Sequence, residues 1–408
     1  IKRILNKYFK KVFLGHHVSG NLNFPRRIAT THLNAAVFSL HKSFFEAVKK
    51  SLAEKGLTVP IQILKADGGT MTLESSMAFP GQTVLSGPAA SIMGAIPYAP
   101  KGQDAIVLDI GGTTTDIAFL VDKAPLLEPV GIRRGQYKSL IRSLRTDSKG
   151  IGGDSALRVE YGKIMVGPDR QGPAMAFGGP APTPTDALVV LGLMNEGDKE
   201  KAAKGIHDIA LKLGMEDLDA AEAVFKRCCS IILKKTFEMI DRINSKPVYT
   251  VHEFLEGYKL SPSKILILGG PSQYFAKKIQ DLYQIETVAV PESSVANAIG
   301  AACARTTCEV SLNADTEQGI VTAHEEDFAE PISKTFSEDD LIETAYGLLK
   351  EKAVNSGADP DNLDEVEVVE FQQFNIVRNF SPRGKIFRTK IQLKPGLIKG
   401  YDTVLQES

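Results

Sequence analysis

The chain has 408 residues, of which 43% are hydrophobic and 24% are charged, and its formal net charge is −1. This composition is ordinary for a soluble globular protein, and the length suggests about two to three domains. No stretch approaches the roughly 18 consecutive apolar residues of a membrane span, and no basic run interleaved with aromatic residues indicates a nucleic-acid partner.

The start of the chain and the cysteines indicate the compartment. The first segment, "IKRILNKYFKKVFLGHH", is basic but has neither a long apolar core nor a small-residue cleavage site, so we expect no signal peptide. The four cysteines (Cys228, Cys229, Cys303 and Cys308) do not follow metal-finger spacing. Reduced, mostly buried thiols and a cytoplasmic location are the expectation.

Charge is distributed unevenly along the chain. Residues 309–408 contain 20 acidic and 10 basic residues, a net charge of −10, so the remaining residues have a net charge of +9. A mildly basic body suits an anionic ligand such as a nucleotide, although solvated surface charge explains it equally well.

The first half of the chain predicts alternating helices and strands. Residues 28–56 predict one long amphipathic helix that ends at Gly56. "VPIQILKADGG" predicts a short buried strand running into a glycine turn, and "SGPAASIMGAIPYA" predicts a helix of small residues suited to close packing. "AIVLDIGGTTTDIAFLVD" predicts a strand, a tight turn and a second strand.

The second half begins with a long irregular region. Residues 131–185 are rich in Gly and Pro and predict mostly loop, and loops of this length are often functional. Helical patterns then extend from Asp186 to about Asn244. "SKILILGGPSQYFAKKIQDL" predicts a strand, a glycine turn and a helix, and "SSVANAIGAACAR" predicts another small-residue helix. The composition changes after residue 308, with a helix expected near 338–355 and strands at 365–377 and 384–393.

The turn in "VLDIGGTTTDIA" has the residue types of an anion site. Glycines let the main chain approach a ligand closely, successive exposed N–H groups form an anion-binding concavity, and threonine hydroxyls add donors. Asp109 and Asp116 can face a phosphate-bound divalent cation or position a water molecule. The alternative is an ordinary hairpin whose threonines favour β-structure.

A second glycine turn supports the ligand interpretation. "KILILGGPSQYF" also ends an apolar strand in a glycine pair, Gly269 and Gly270, and then opens a helix. Ligands of α/β proteins gather at such strand ends. Helix entry alone also explains a single pair, but two such turns suggest two halves of one cleft.

Six segments resemble, in order, the hydantoinase A/5-oxoprolinase family. They are "RRIATTHLNAA", "ILKADGGTMTLESS", "TVLSGPAASIMGA", "DIGGTTTDIA", "GIGGDSALRVEYGKIMVGPDRQGPAMAFGGPAPTPTDALVVLG" and "ANAIGAA". The resemblance covers about residues 13 to 305. Within it, "VLDIGGTTTDIA" resembles the second phosphate loop of the actin-like ATPase fold, and "ILILGGPSQYFAKKIQDL" resembles its adenosine-contact segment.

The resemblance implies a fold and a domain order. The expected fold class is α/β, with an actin-like ATPase (ribonuclease H-like) domain that has a long Gly/Pro-rich loop and a helical insertion, plus a smaller C-terminal α/β domain. Residues 1–100 would be the remainder of a first lobe with linking helices, 101–308 the second lobe, and 309–408 a small acidic domain. The family's first phosphate loop has no counterpart before Asp109, so we expect a fragment or a separately encoded half that lacks most of the N-terminal domain.

The resemblance also implies ATP and Mg²⁺, used to phosphorylate a lactam carbonyl oxygen so that water can open the ring. Asp109 would hold the cation or orient the nucleophile, and Asp116 would support it as a second catalytic carboxylate. The phosphates would be held by N–H and hydroxyl groups of four residues, Gly111, Gly112, Thr113 and Thr114. Gly269 and Gly270 would pass under the adenosine. The long loop would close over the nucleotide through Gly152, Gly153, Asp154 and Ser155.

The expected partners are a second hydantoinase-type subunit, the absent N-terminal domain and a small cyclic amide such as a hydantoin or 5-oxoproline. Homo-oligomers are possible, and neither nucleic acid nor a membrane is expected. One alternative is a non-catalytic nucleotide-binding, reactivating or assembly subunit of the same fold. Another is an acetone-carboxylase-type subunit.

Other polar residues have two interpretations each. Asp67, in "DGGT", echoes a phosphate loop but is more typical of a turn near the substrate side. His16 and His17 can reach a metal or substrate, or can form an ordinary solvated pair. Asp169, Arg170 and Asp186 lie in family-like segments, yet charged residues in such loops usually belong to the surface.

Overall fold

The structure, a computed structural model, describes residues 1–19, 23–128, 131–245, 258–360, 363 and 365–401. Residues 361, 362, 364 and 402–408 of the predicted C-terminal domain lie outside the described residues. The chain forms two compact units. Unit 1 combines Ile1–Ala89, Leu127–Leu144 and Cys303–Gly400, and unit 2 contains Ala90–Leu126 and Arg145–Ala302.

The α-helices and strands are numbered separately in chain order. The helices are α1 (Lys2–Leu5), α2 (Gly15–Val18), α3 (Phe24–Glu54), α4 (Leu73–Ala78), α5 (Ser86–Ala95), α6 (Pro184–Val190), α7 (Lys199–Leu213), α8 (Asp217–Asn244), α9 (Ser272–Tyr283), α10 (Ala296–Cys303) and α11 (Glu338–Asn355). The strands are β1 (Gln62–Leu64), β2 (Thr70–Thr72), β3 (Asp104–Ile110), β4 (Thr115–Val121), β5 (Ala124–Pro125), β6 (Arg133–Arg134), β7 (Tyr137–Lys138), β8 (Asp147–Lys149), β9 (Leu157–Glu160), β10 (Lys163–Val166), β11 (Pro262–Leu268), β12 (Glu286–Ala289), β13 (Glu309–Asp315), β14 (Ile320–Ala323), β15 (Phe328–Pro331), β16 (Val366–Arg378) and β17 (Ser381–Leu393).

Unit 2 is built on a mixed sheet with the strand order β12-β11-β3-β4-β5, and β8 also pairs with β4. Strands β12, β11 and β3 are parallel, whereas β4 returns antiparallel from β3. The run Ala105–Leu108 in β3 is completely buried, as expected for a central strand covered on both faces. The predicted strand, turn and strand of this region are therefore present.

Helices α6, α7 and α8 form the predicted helical region and pack on one another. Helix α8 buries apolar residues at spacings of three and four, among them Val224, Phe225, Cys228 and Ile232. This spacing places them on one face of the helix, which contributes to the core of unit 2. All four cysteines are buried and free, as the sequence suggested.

The two small-residue helices contain glycines in very close contact. A Cβ placed on Gly300 of α10 would lie 2.2 Å from the main-chain oxygen of Ala90 and 2.3 Å from the nitrogen of Gly94, both in α5. Real Cβ atoms do not approach so closely, so the packing of α5 on α10 requires glycine there. The predicted close packing is confirmed.

Unit 1 contains an antiparallel five-stranded sheet with the order β15-β14-β13-β17-β16. Strand β13 alternates buried and half-buried residues, with Val310, Leu312 and Ala314 facing the core. Helix α11 packs on β13 and β17 and buries Leu341 and Leu349. The helix predicted near 338–355 and both long strands predicted after it are present.

Helix α3 is long, as predicted, but its buried side is polar. The buried residues are Thr30, Asn34 and His41, whereas Leu40 and Phe44 are exposed. The predicted amphipathic pattern is present only in part: Leu33 and Phe45 pack, half-buried, against small apolar clusters, whereas the fully buried positions make hydrogen bonds. Asn34 Oδ1 accepts from Gly81 N at 2.9 Å, and His41 Nε2 lies 2.9 Å from Ser76 Oγ.

Residues 303–400 pack together with residues 1–89 in unit 1. From the sequence, these two parts are expected to lie in separate domains. The chain passes from unit 2 to unit 1 at Cys303, close to the boundary expected near residue 308. The division into three domains itself stays a prediction.

Candidate functional site

The two predicted glycine turns lie side by side at one end of the sheet in unit 2. Asp109, near the end of β3, is paired with Leu268, the last residue of β11. One glycine turn follows each strand directly. Because parallel neighbours end at the same edge of a sheet, the fold brings together motifs that are far apart in the sequence.

The turn between β3 and β4 presents main-chain donors. Gly111 N donates to Thr114 O at 2.9 Å, which closes the turn. Gly112, Thr113 and Thr114 are exposed, and within the described part of the chain no acceptor is bonded to their main-chain N–H groups. Three consecutive unused donors at a strand end can hold an anionic oxygen cluster.

The loop at residues 152–154 docks on this turn. Gly153 N donates to Gly111 O at 3.0 Å, and Asp154 N donates to Gly112 O at 2.7 Å. Gly152 N donates to Ser155 Oγ at 2.8 Å. The structure thus brings the three predicted loop residues next to the phosphate-loop turn. Their N–H groups are engaged with protein acceptors, so the contact orients the turn.

Two carboxylates face the same side of the hairpin. Asp109 and Asp116 are direct cross-strand partners in β3 and β4, which places their side chains on one face. Burial raises the pKa of Asp116, the negative charge of Asp109 raises it further, and a hydrogen bond from Ser148 opposes both. A positively charged ligand would relieve this repulsion, which is the electrostatic setting of a cation site.

The second glycine turn leads into α9. Gly269 has φ of +95°, and its N–H donates to Ser293 O at 3.0 Å. Gly270 is exposed, and nothing lies near the position of a Cβ there. Ser272 begins α9, so the N-terminus of a 12-residue helix lies next to this turn. A helix N-terminus favours negative charge.

Two neighbours of the site were not identified as such from the sequence. Ser91, in the small-residue helix α5, donates its Oγ to Asp109 Oδ2 at 2.5 Å. A serine among the small and apolar residues of this helix was the only indication in the sequence. Arg170 was expected at the surface, and its side chain is 45% exposed. Its Nη2 lies 2.8 Å from Asp154 Oδ2. It places a cation beside the loop that contacts Gly112.

Asp186 is completely buried, so its assignment to the surface is wrong. Its carboxylate accepts hydrogen bonds from the main-chain N–H groups of Met175, Ala176 and Thr183 at 2.7–3.1 Å. Burial raises the pKa of Asp186, and these donors oppose that shift. The residue fixes the Gly/Pro-rich loop to the start of α6. Asp169, by contrast, is exposed and paired with Arg158.

The "DGGT" motif of unit 1 forms a turn around a buried carboxylate. Asp67 Oδ2 accepts from Arg142 Nε at 2.8 Å and from Thr307 Oγ1 at 2.9 Å, and Oδ1 accepts from Gly69 N at 3.0 Å. Burial disfavours the charged form, but Lys65 and Arg142 outweigh it and hold the pKa of Asp67 well below its usual range. Asp67 thereby joins the three chain segments of unit 1.

A cavity of about 480 Å³ opens next to this carboxylate within unit 1. Its walls come from all three segments of the unit. Charged groups of both signs line it, including Lys65, Asp67, Arg142, Glu309 and Lys352. Such a mixed lining suits a small polar ligand better than an apolar one.

Unit 2 is therefore a mixed α/β unit with a site suited to an anionic ligand. Unused N–H donors, a helix N-terminus and two carboxylates meet at the carboxyl end of parallel strands. A model of the family described as Hydantoinase/oxoprolinase matches residues 27–310. The chain belongs to this family, which confirms the resemblance seen in its motifs.

Relatives and solved structures agree with this assignment. The acetophenone carboxylase gamma subunit of Aromatoleum aromaticum is 28% identical over 242 residues, covering 53% of this chain and 32% of that protein. The nucleotide-free structure of acetone carboxylase has a TM-score of 0.64 at 16% identity, and covers 97% of this chain and 61% of its own. ATP-dependent caprolactamase from Pseudomonas jessenii has a TM-score of 0.61 at 17% identity, with 94% and 60% covered.

These values have two consequences. The structural matches confirm the mixed α/β fold. Because their sequence identities are so low, they show nothing beyond the fold. The chain spans less than two thirds of the length of these proteins, and its match covers about one third of the acetophenone carboxylase subunit. Among the helices of the described residues, none has both the length and the apolar character needed to cross a bilayer.

Proposed function

We propose that unit 2 binds the triphosphate of ATP, with Mg²⁺, at the turn that follows Asp109. The observation that supports this most directly is the set of unused N–H donors at Gly112, Thr113 and Thr114. Phosphoryl transfer depends mainly on positioning groups and stabilising charge, and these donors supply both. Asp109 would hold Mg²⁺, directly or through water, and Asp116 would support it.

The remaining predicted residues would complete the nucleotide site. Gly269 and Gly270, with the N-terminus of α9, would lie against the adenosine side of the nucleotide. Gly152, Gly153 and Asp154 would hold the turn in its binding conformation. Arg170 would supply positive charge to the phosphates when it leaves Asp154.

We propose further that the protein to which this chain belongs uses ATP to open a cyclic amide. The lactam carbonyl oxygen would attack the γ-phosphorus, forming an O–P bond while ADP leaves. Water would then add to the activated carbon, and the ring C–N bond would break as the nitrogen takes up a proton, which leaves an acyl phosphate. A second water would hydrolyse this acyl phosphate to a carboxylate and inorganic phosphate. Family membership and the fold shared with ATP-dependent caprolactamase support this reaction class. A second subunit is expected, because the related acetophenone carboxylase chain is itself a subunit.

Ketone carboxylation is the second candidate. The 28% identity to the acetophenone carboxylase subunit and the fold shared with acetone carboxylase favour it. In an ATP-dependent carboxylation, ATP would likewise transfer a phosphoryl group to a substrate oxygen, so one nucleotide site would serve either reaction. A non-catalytic binding subunit would show nucleotide affinity without turnover.

A thermal-shift titration with MgATP tests the nucleotide site. A ligand at 100 times its Kd stabilises the folded state by about 2.7 kcal/mol. We expect little shift for the 408-residue chain alone and a clear shift when the family's N-terminal domain is also present. Asp109→Asn should abolish that shift, whereas Asp208→Asn, an exposed carboxylate on α7, should leave it unchanged.

Two further measurements separate the candidates. A structure with a non-hydrolysable ATP analogue should place phosphate oxygens within hydrogen-bond distance of the N–H groups at Gly112–Thr114, and phosphates elsewhere would refute the site. ATP turnover by the protein with its partner subunit should rise with 5-oxoproline or a hydantoin. Turnover that responds only to a ketone with bicarbonate would establish the carboxylase alternative.

A further inference from the structure

Three possible metal ligands meet in unit 1. His16 and His17 belong to α2, and Asp327 follows a short 3₁₀ helix at His324–Glu326. One ligand atom from each residue lies within 4.8 Å of the others. His17 Nε2 is 3.5 Å from Asp327 Oδ1, and the two imidazole centroids are 4.4 Å apart.

These distances are close to those of a coordinated metal. Two ligands of a tetrahedral zinc ion, each at about 2.0–2.1 Å, lie roughly 3.4 Å from one another. The distance between His17 Nε2 and Asp327 Oδ1, 3.5 Å, is already close to this value, and a ligand atom of His16 lies within 4.8 Å of both. Two imidazoles and one carboxylate suit zinc and its first-row neighbours better than Mg²⁺ or Ca²⁺, which prefer all-oxygen ligand sets.

The cluster adjoins the cavity of unit 1. Asp327 lines that cavity, and so do Val18 and Ser19, which directly follow the histidine pair. A catalytic metal typically has three protein ligands and an open position for water or substrate. A cation held here would have its ligands at the edge of a space large enough for a small polar molecule.

We propose that His16, His17 and Asp327 form a binding site for a divalent transition-metal ion at the edge of this cavity. The adjacent histidines alone would be an ordinary surface pair. The third ligand, supplied by a segment some 310 residues away in the chain, makes the arrangement a candidate site. The proposal does not depend on the nucleotide site of unit 2.

Zinc binding to the purified full chain tests the proposal. Equilibrium dialysis followed by elemental analysis should find one tightly held Zn²⁺ per chain. His17→Ala and Asp327→Gly should each weaken binding at least tenfold. Co²⁺ used as a probe should give visible d–d absorption in the wild type that is lost in both variants. The four cysteines are buried, so they do not compete for the added metal.

The variants are chosen so that loss of binding is not confused with misfolding. Asp327 has φ of +53°, a conformation that glycine adopts easily, so Asp327→Gly removes the carboxylate without straining the turn. His207→Ala is the matched control, because His207 is an exposed histidine 2.9 Å from Asp217 in unit 2. It should retain full binding. The proposal is overturned if the wild type holds no more zinc than His17→Ala, or if His207→Ala loses the same ion.

Discussion

Gly269 lies directly against Asp109 in unit 2. A Cβ placed on Gly269 would be 3.2 Å from Asp109 Oδ1 and only 2.1 Å from the main-chain oxygen of Ile110. The second glycine turn therefore touches the strand end that bears the candidate catalytic carboxylate. A side chain at this position would displace the carboxylate or separate the two strands.

Gly269→Ala should destabilise the protein, whereas Gly270→Ala should not. The φ of +95° at Gly269 costs a non-glycine residue roughly 1–2 kcal/mol even before the collision with Ile110 is counted. We expect a loss above about 2 kcal/mol at Gly269 and a change within about 0.5 kcal/mol at Gly270. Chemical denaturation of both variants measures the difference, and equal losses would contradict the contact.

The pKa of Asp116 should fall when Asp109 is neutralised. Burial is the larger cause of its elevation, and the charge on Asp109 adds to it. Asp109→Asn removes only the second cause, so the pKa should move part of the way back toward its ordinary value. Carboxyl ¹³C NMR titration measures this shift. Asp208→Asn is the control, and an unchanged pKa in Asp109→Asn would mean that the two carboxylates do not interact.

Asp67→Asn should destabilise the protein in a pH-dependent manner. Removing one partner of a buried ion pair costs about 3–5 kcal/mol. Because the folded-state pKa lies below the unfolded-state value of about 3.9, the stabilisation is present above that value and is lost as the pH falls below it. The difference in Tm between wild type and variant should thus be largest near neutral pH and shrink below about pH 4.

The control for this experiment is Asp339→Asn in α11, because Asp339 is exposed on the same unit. Its substitution should change Tm only slightly at every pH. If the loss of Tm in Asp67→Asn stays constant down to pH 3, the stabilisation by Asp67 comes from the shape of its side chain and not from its charge.

Two helical glycines should respond to alanine with opposite signs. Gly300→Ala would force a Cβ against α5, and overpacking of this kind costs about 1–3 kcal/mol. Gly347 lies on the exposed side of α11 with nothing near its Cβ position, so Gly347→Ala should stabilise by about 0.5–1 kcal/mol. Urea midpoints compare the two, and stabilisation by both would disprove the close packing of α10.

Local patterns predicted most of the elements. The apolar run before Asp109 identified β3, the three- and four-residue spacing around Phe225 identified α8, and the segment 338–355 coincides with α11. These patterns are reliable because the residues that a helix or strand buries on one face all lie within that element, at a fixed spacing. Helix α3 deviated in part, because its fully buried positions Asn34 and His41 make hydrogen bonds, which hydrophobic periodicity does not predict.

Positions that depend on distant partners could not be deduced in this way. Asp186 resembles a surface acid in sequence, yet main-chain donors from a neighbouring loop surround it. Ser91 belongs to the site only because it donates to Asp109, and Arg170 only because it pairs with Asp154. The partners of Ser91 and Arg170, and the donors Met175 and Ala176 of Asp186, lie at least 10 residues away, where no short-range periodicity extends. Only the donor Thr183 is local to Asp186, as part of a capping box.

Residue types at short spacing predicted the α/β elements and the two glycine turns, and six ordered motifs indicated the family by resemblance. The folded structure was needed to show that the turns adjoin, that three N–H groups at the first turn have no acceptor among the described residues, and that Asp327 joins His16 and His17. The physical reason is that parallel strand pairing and the packing of separate segments create contacts between residues whose separation along the chain contains no signal.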